Sequence, residues 1–442
     1  MLDPPMATDG EPHTPSVSDI ERQLERLAAK GELIREVDAH GESTFSAAKP
    51  APLPALLVLT FLCSLGTGSL WTGLPFVAEH DFNFTKVENL WLAIADATVY
   101  VVVAYFSGPL LRAVQRRLSP RGVLVALMVV QTLICPLPLM GSVWGVIVTA
   151  LGTSAVAATL WPVVESYLSS GRHGHQLRHS VGLFNIVWTS AVAAGLFMMA
   201  PLFATQYTRL AIVAIGPCCL LSALCLPWFP SKPPPHLDDG QAPIVPPVYR
   251  PLRDATRSLL PTSYLLIGAL GPLLPYAIAK LSVAAAWQTP LAATWLSVRV
   301  FAMLGMWRLR FWHGKWATLA LGAALMSGGF FVAMVAGTVP TLIAALAAFG
   351  VGHSILYYAS LYYAMSVGHG EVDAGGHFEA LIGAGYIMGP LASLAGVWIG
   401  GEMSVQWCVL GVAALASMLA AREWLRWRRN RHTTAPSAPV KH

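Results

Sequence analysis

The stretch LAATWLSVRVFAMLGMWRLR, residues 291–310, decides the class of this protein. It matches the ~20 residues that carry an α-helix across ~30 Å of hydrocarbon. Its interior is apolar except for Arg299. A guanidinium near the centre of such a helix is costly unless it meets a solute, an ion path or another helix. Trp295 lies one turn before Arg299 on the same face.

Working outward, the rest of the chain repeats that length and polarity. Further spans read 55–78, 88–110, 122–142, 144–166, 181–203, 207–229, 260–286, 316–336, 339–366, 376–400 and 403–422. The composition is 55% hydrophobic and 12% charged, and soluble domains carry about twice that charged fraction. The expected fold is an all-α membrane protein of twelve transmembrane helices in two six-helix bundles. Residues 1–53 read as a cytoplasmic arm and 54–229 as the first bundle. Residues 230–259 read as a Pro-rich cytoplasmic linker, 260–422 as the second bundle and 423–442 as a basic cytoplasmic tail. In the arm, Ser18 and Glu21 fit a capping box, Ile20, Leu24 and Leu27 mark a thin apolar face, and Gly31 stops the helix. Residues 37–53 are expected to be a flexible lead-in.

Charge orients the spans. One side receives Arg112, Arg116, Arg117 and Arg121, then Arg172, Arg178, the linker bases, Arg308, Arg310 and Lys315, and finally Arg422–Arg431. The other side receives Lys86 and Arg209. The basic side, with both termini, is expected to face the cytoplasm of a cell membrane, the inner membrane in a Gram-negative bacterium. The net charge of +5 borders membrane helices, so its partners are lipid headgroups and not nucleic acid. The six cysteines all fall in apolar spans and read as small buried hydrophobes.

The halves echo one another. Gly182, Phe184 and Asn185 of the fifth span align with Gly376, Phe378 and Glu379 of the eleventh, and the basic turn 112–121 is matched by 308–315. Twelve spans, a long central loop and a basic turn after spans two and eight resemble the major facilitator superfamily over residues 54–422. GPLLRAVQRRLSPRG (108–122) keeps Gly108, Arg112, Arg116 and Arg117 of that family's turn signature and lacks its acidic member. GAGYIMGPLASLAG (383–396) is similar to its Gly-rich packing motif. The resemblance implies two rocking halves around a central path.

Polar residues inside the spans are the candidate site. Asp96, with Tyr100 one turn on, is a mid-span carboxylate, costly to keep charged unless paired or wet, and so a candidate to carry a proton. Lys280 follows Tyr276 by one turn, behind GPLLP (271–275), which is expected to break or bend its helix. Together Lys280 and Arg299 favour an anionic or carboxylate-bearing solute; a Lys280 that reaches for the outer interface is the alternative. His353 and Tyr357 lie one turn apart and could carry a proton or contact solute. Trp161, Glu165, Asn185 and Glu379, with the basic turn Arg112, Arg116 and Arg117, are expected at the inner gate, where salt bridges form in one conformation and part in the other.

The chain contains no nucleotide-binding loop, which excludes ATP as the direct energy source. His173, His175 and His179 share a polar loop whose spacing fits no metal site. The expected function is a secondary transporter, not an enzyme, working as a monomer without a cofactor. It moves a small organic solute, with protons as possible coupling ions. The alternatives are transport of an uncharged or amphipathic solute such as a sugar, and a non-transporting membrane receptor of the same fold.

Overall fold

In hydrocarbon the backbone must satisfy its own N–H and C=O groups, so apolar runs of this length become helices. The computed structural model describes residues 22, 24–26, 33–37, 43–47, 49–114, 117–172, 174–205, 207–234, 245–367, 372–401 and 403–433. Among the described residues, twelve helices are long and apolar enough to cross a membrane. In the first half they are α1 Leu53–Phe82, α2 Lys86–Val114, α3 Pro120–Ile134, α4 Val143–Ser169, α5 Gly174–Phe203 and α6 Leu210–Trp228. The second half holds α7 Tyr249–Ala279, α8 Ala285–Arg308, α9 Trp316–Val335, α10 Val339–Val367, α11 Val372–Ile399 and α12 Ser404–Thr433. An even number of spans puts the start of α1 and the end of α12 on one side, here termed the terminal side.

Local signals set the helix ends. Asn83 closes α1 in the left-handed region at φ 52°. Thr85 and Glu88 then open α2 as a capping box: the Thr85 N–H donates to the Glu88 carboxylate at 2.7 Å, and the Glu88 N–H to the Thr85 hydroxyl at 3.3 Å. Ser119 and Ser142 cap α3 and α4 through the N–H groups of Gly122 and Trp144.

Three boundaries differ from the sequence reading. α7 begins at Tyr249, inside the expected linker. Its first turns are amphipathic: Leu252, Ala255 and Leu259 are buried, while Arg253 and Asp254 pair at 2.8 Å on the other face. α12 runs on through Arg422 and Arg426 into the expected tail. At 1.5 Å per residue its 30 residues outreach the hydrocarbon, so its last turns stand clear of it. Charged faces hide both extensions from a hydropathy scan. Third, the expected flexible lead-in contributes to an antiparallel hairpin, Leu33–Val37 with Ser43–Ala47. The expected arm helix falls mostly outside the described residues, and 22 and 24–26 are helical.

The halves meet through α2 against α11 and α5 against α8. Within the second half, α11 lies close on α7: a Cβ on Gly385 or Gly389 would land on the α7 backbone at Pro261 or Leu265. That is small-residue packing, which lets helix backbones approach. α7 stays continuous through Pro272 and Pro275, so of the expected break or bend the break is absent.

On the terminal side the first half grips the segments that enter and leave it. Buried Arg172 donates to the last carbonyls of α4, Tyr167 O and Leu168 O, both at 2.9 Å, and to Ala51 O ahead of α1. Burial pulls the Arg172 pKa below its ordinary value. The Tyr167 hydroxyl donates to Pro230 O at 2.9 Å and Arg121 to Phe229 O at 3.2 Å, which fixes the start of the linker. The linker's far end enters the second half at Tyr249, whose hydroxyl lies 3.3 Å from that of Tyr362.

Candidate functional site

A cavity of about 170 Å³ lies between the halves. It is lined by α1, α2, α4 and α5 from one half and by α7, α8, α10 and α11 from the other; α3, α6, α9 and α12 contribute nothing to it. The eight inner helices are therefore those that can sense a bound solute from both sides.

Arg299 of α8 reaches this cavity with 1% of its surface exposed. Its guanidinium carbon lies 5.2 Å from the Trp188 ring centre on α5 and 5.0 Å from the Tyr357 ring centre on α10. Cation–π contact offsets part of the cost of burial. Two of its nitrogens, Nε and Nη2, have no hydrogen-bond partner. The Tyr357 hydroxyl donates to the Asn185 side-chain oxygen at 2.7 Å, so the aromatic support of Arg299 is itself tied across the halves.

Asp96 of α2 lines the same cavity. It accepts from the Ser154 hydroxyl on α4 at 2.6 Å, and no lysine or arginine among the described residues forms an ion pair with it. Tyr100, Trp161, Glu165 and Trp295 line the cavity too. Asn185, expected at the inner gate with Trp161 and Glu165, also lines the cavity, beside Tyr357.

Other expected site residues lie elsewhere. Lys280 is exposed at the C-terminal cap of α7, which ends at Ala279; of its two readings the outer-interface one fits this position, and the residue does not line the cavity. Tyr276 forms a latch on the side away from the termini. Its hydroxyl donates to Phe84 O at 2.6 Å and accepts from Asn89 Nδ2 at 2.8 Å, joining α7 to the α1–α2 hairpin. His353 is fully buried behind the cavity wall, with Tyr264, Trp295 and Tyr357 around it and no hydrogen bond to either ring nitrogen. Arg112 and Arg117 are exposed and form no ion pair with a described residue. Arg116 and the Glu379 side chain lie outside the described residues, as do His173 and the His175 side chain. On the terminal side Trp307 of α8 lies tilted against His179, ring centres 5.3 Å apart, and against Gly182 of α5.

Sequence reasoning missed Trp71, Tyr264 and Tyr386. Trp71 of α1 packs edge-on to Tyr100 at 5.2 Å and to Tyr386 of α11 at 4.6 Å, and Tyr386 meets Tyr264 of α7 at 5.1 Å. Their signal was present: each ring is spaced on its helix with glycines, Gly68, Gly268 and Gly385 among them, where an added Cβ would meet Val192, Tyr386 or Pro261, the pattern of close helix packing around bulky rings.

The comparisons with known proteins agree with this arrangement. The model of the Major Facilitator Superfamily matches residues 56–372. The chain belongs to that superfamily. Its members' general role, secondary transport, is the coarse function of this chain. No curated protein sequence matches it. Among solved structures, the nucleoside transporter NupG is similar at TM-score 0.60 and 13% identity, over 85% of this chain and 98% of that one. A point mutant of NupG reaches 0.62 at 12% identity, over 84% and 99%. The human organic anion transporter MFSD10 (TETRAN) is similar at 0.58 and 13%, over 83% and 98%. Likeness at such identities establishes the shared superfamily fold and not the solute.

Proposed function

We propose that this major facilitator protein moves a small carboxylate-bearing organic solute by alternating access, with a proton carried on Asp96. The observation that carries the reading is Arg299: a guanidinium in the cavity wall, fully buried, with two nitrogens unpartnered and rings from both halves against it. A buried charge without a counter-charge is retained where something else supplies one. A solute carboxylate supplies it, in the paired geometry that arginine favours.

Asp96 supports the coupling half of the proposal. A carboxyl group that faces the cavity with a hydroxyl as partner can exchange a proton with whatever water or solute enters. Two contact sets support alternating access: the Tyr276 latch on one side, and Trp307 against Gly182 on the other. Each joins the halves at one end of the cavity, so each must open for passage in that direction. The strong excess of arginine on the terminal side supports its placement in the cytoplasm.

Uptake by proteoliposomes tests the reading. Carboxylate-bearing solutes should be taken up, with a dependence on an imposed proton gradient. Uptake that is indifferent to the Arg299→Gln change would remove the anionic-solute reading.

A further inference from the structure

The cavity is small and walled by rings. We infer that its solute is a monocyclic aromatic carboxylate, its ring laid on the wall formed by Trp71, Tyr386 and Tyr264 and its carboxylate on Arg299. The inference rests on the anionic-solute reading and adds to it the size and the nature of the non-ionic part.

Size comes first. An apolar cavity of about 150 Å³ holds one benzene molecule. This cavity measures about 170 Å³, room for one ring and a carboxylate. A nucleoside, with a base and a ribose, exceeds it, so the fold shared with NupG does not bring NupG's solute with it.

The wall sets the chemistry of the ring. Ring contacts run without a gap from Tyr100 to Trp71 at 5.2 Å, to Tyr386 at 4.6 Å, to Tyr264 at 5.1 Å and to Tyr357 at 6.3 Å. The steps are edge-on or tilted, at 86°, 62°, 59° and 64°. Tilted rings present both edges and faces to a neighbour, and an aromatic guest gains from either, whereas a saturated ring gains only contact area. The wall ends at Tyr357, the residue against which Arg299 is stacked, so a ring on the wall has a buried cation at its end. A carboxylate attached directly to the ring, or one carbon away, fits that order.

Both halves build the wall: Trp71 belongs to α1, and Tyr386 and Tyr264 to α11 and α7. A ring in place therefore bridges the halves, which ties occupancy to their closure.

The test is binding to the full-length purified protein, read by thermal stability and calorimetry, with benzoate, cyclohexanecarboxylate, 2-naphthoate and benzyl alcohol. The expected order places benzoate about five- to tenfold tighter than cyclohexanecarboxylate, with naphthoate and benzyl alcohol weak. Tyr386→Leu should bring benzoate and cyclohexanecarboxylate together, while Tyr386→Phe keeps them apart. Equal affinity of the unmodified protein for those two acids would overturn the ring inference and leave the anionic reading standing. Tighter naphthoate would overturn the one-ring limit. Absence of binding by every carboxylate, or binding of benzyl alcohol alone, would remove the anionic reading and this inference together. The comparison of acids needs no variant, so a Tyr386→Leu protein that fails to fold does not blunt it.

Discussion

The hydroxyl of Tyr357 donates to the side-chain oxygen of Asn185 at 2.7 Å, and this one bond joins α10 of the second half to α5 of the first beside the buried guanidinium. Tyr357 and Arg299 share a half, whereas Trp188 and Asn185 belong to the other. Separation of α5 from the second half therefore strips Arg299 of one ring and Tyr357 of its acceptor in the same movement. A solute carboxylate on Arg299 would compensate for that loss, which couples occupancy to the position of the halves.

Arg299→Gln is expected to lower solute affinity by at least about 30-fold, the scale for removing one member of a buried charge pair. Stability should not fall, because the change removes buried nitrogens that have no partner. A binding curve and a melting curve on the same preparation check both halves of the statement.

Asp96→Asn is expected to abolish accumulation against a gradient and to spare exchange of solute across the membrane. Asparagine keeps an acceptor for Ser154 and cannot carry the proton. Equal loss in accumulation and in counterflow assays would place Asp96 in solute binding or folding.

Tyr276→Phe removes both hydrogen bonds of the latch away from the termini. At about 0.5–1.5 kcal/mol each, their loss should shift the balance of conformations by roughly five-fold or more toward opening on that side. Distances between spin labels on the loops of the two halves report it.

The division between what the chain shows in one dimension and what it withholds is instructive. Twelve spans, two halves and the depth of Arg299 follow from apolar run length and from the cost of a buried charge, both local properties. The sequence leaves Lys280 open between a mid-membrane and an outer-interface position because hydropathy cannot tell a helix end from its middle: Leu281 to Ala286 is largely apolar but lies beyond the end of α7. Trp71, Tyr264 and Tyr386 come from three helices and converge only by packing, so no window of sequence contains their contact. The repeat aligns Asn185 with Glu379, while its hydrogen-bond partner is Tyr357, a residue the alignment does not connect to it.

Gly389→Leu is expected to cost about 2 kcal/mol or more, since its side chain would meet the α7 backbone at Leu265 and Ala269 and the helices would have to part. Lower yield of folded protein and a lower melting temperature should appear together. Gly411, where an added Cβ meets nothing, should accept alanine without either effect.

The loop before α9 should give the fold a mild acid sensitivity. His313 stacks on Tyr362 at 4.4 Å, its Nδ1 lies 3.3 Å from the Tyr362 hydroxyl, and Trp312 and Arg310 lie beside it in the loop. Burial first, and Arg310 second, hold its pKa below the ordinary 6.5. The unfolded chain then binds more protons than the folded one, so this contribution is full above about pH 6.5 and declines as pH falls through the folded value. Melting temperatures measured from neutral to mildly acid pH should drop less for His313→Gln than for the unmodified protein.

The grips on the linker tie each of its ends to one half. Its first residues are pinned at Phe229 and Pro230 by Arg121 and Tyr167, and its last is Tyr249, anchored against Tyr362. Each mooring thus travels with its own half, so the distance from Pro230 to Tyr249 changes only as the halves move relative to one another.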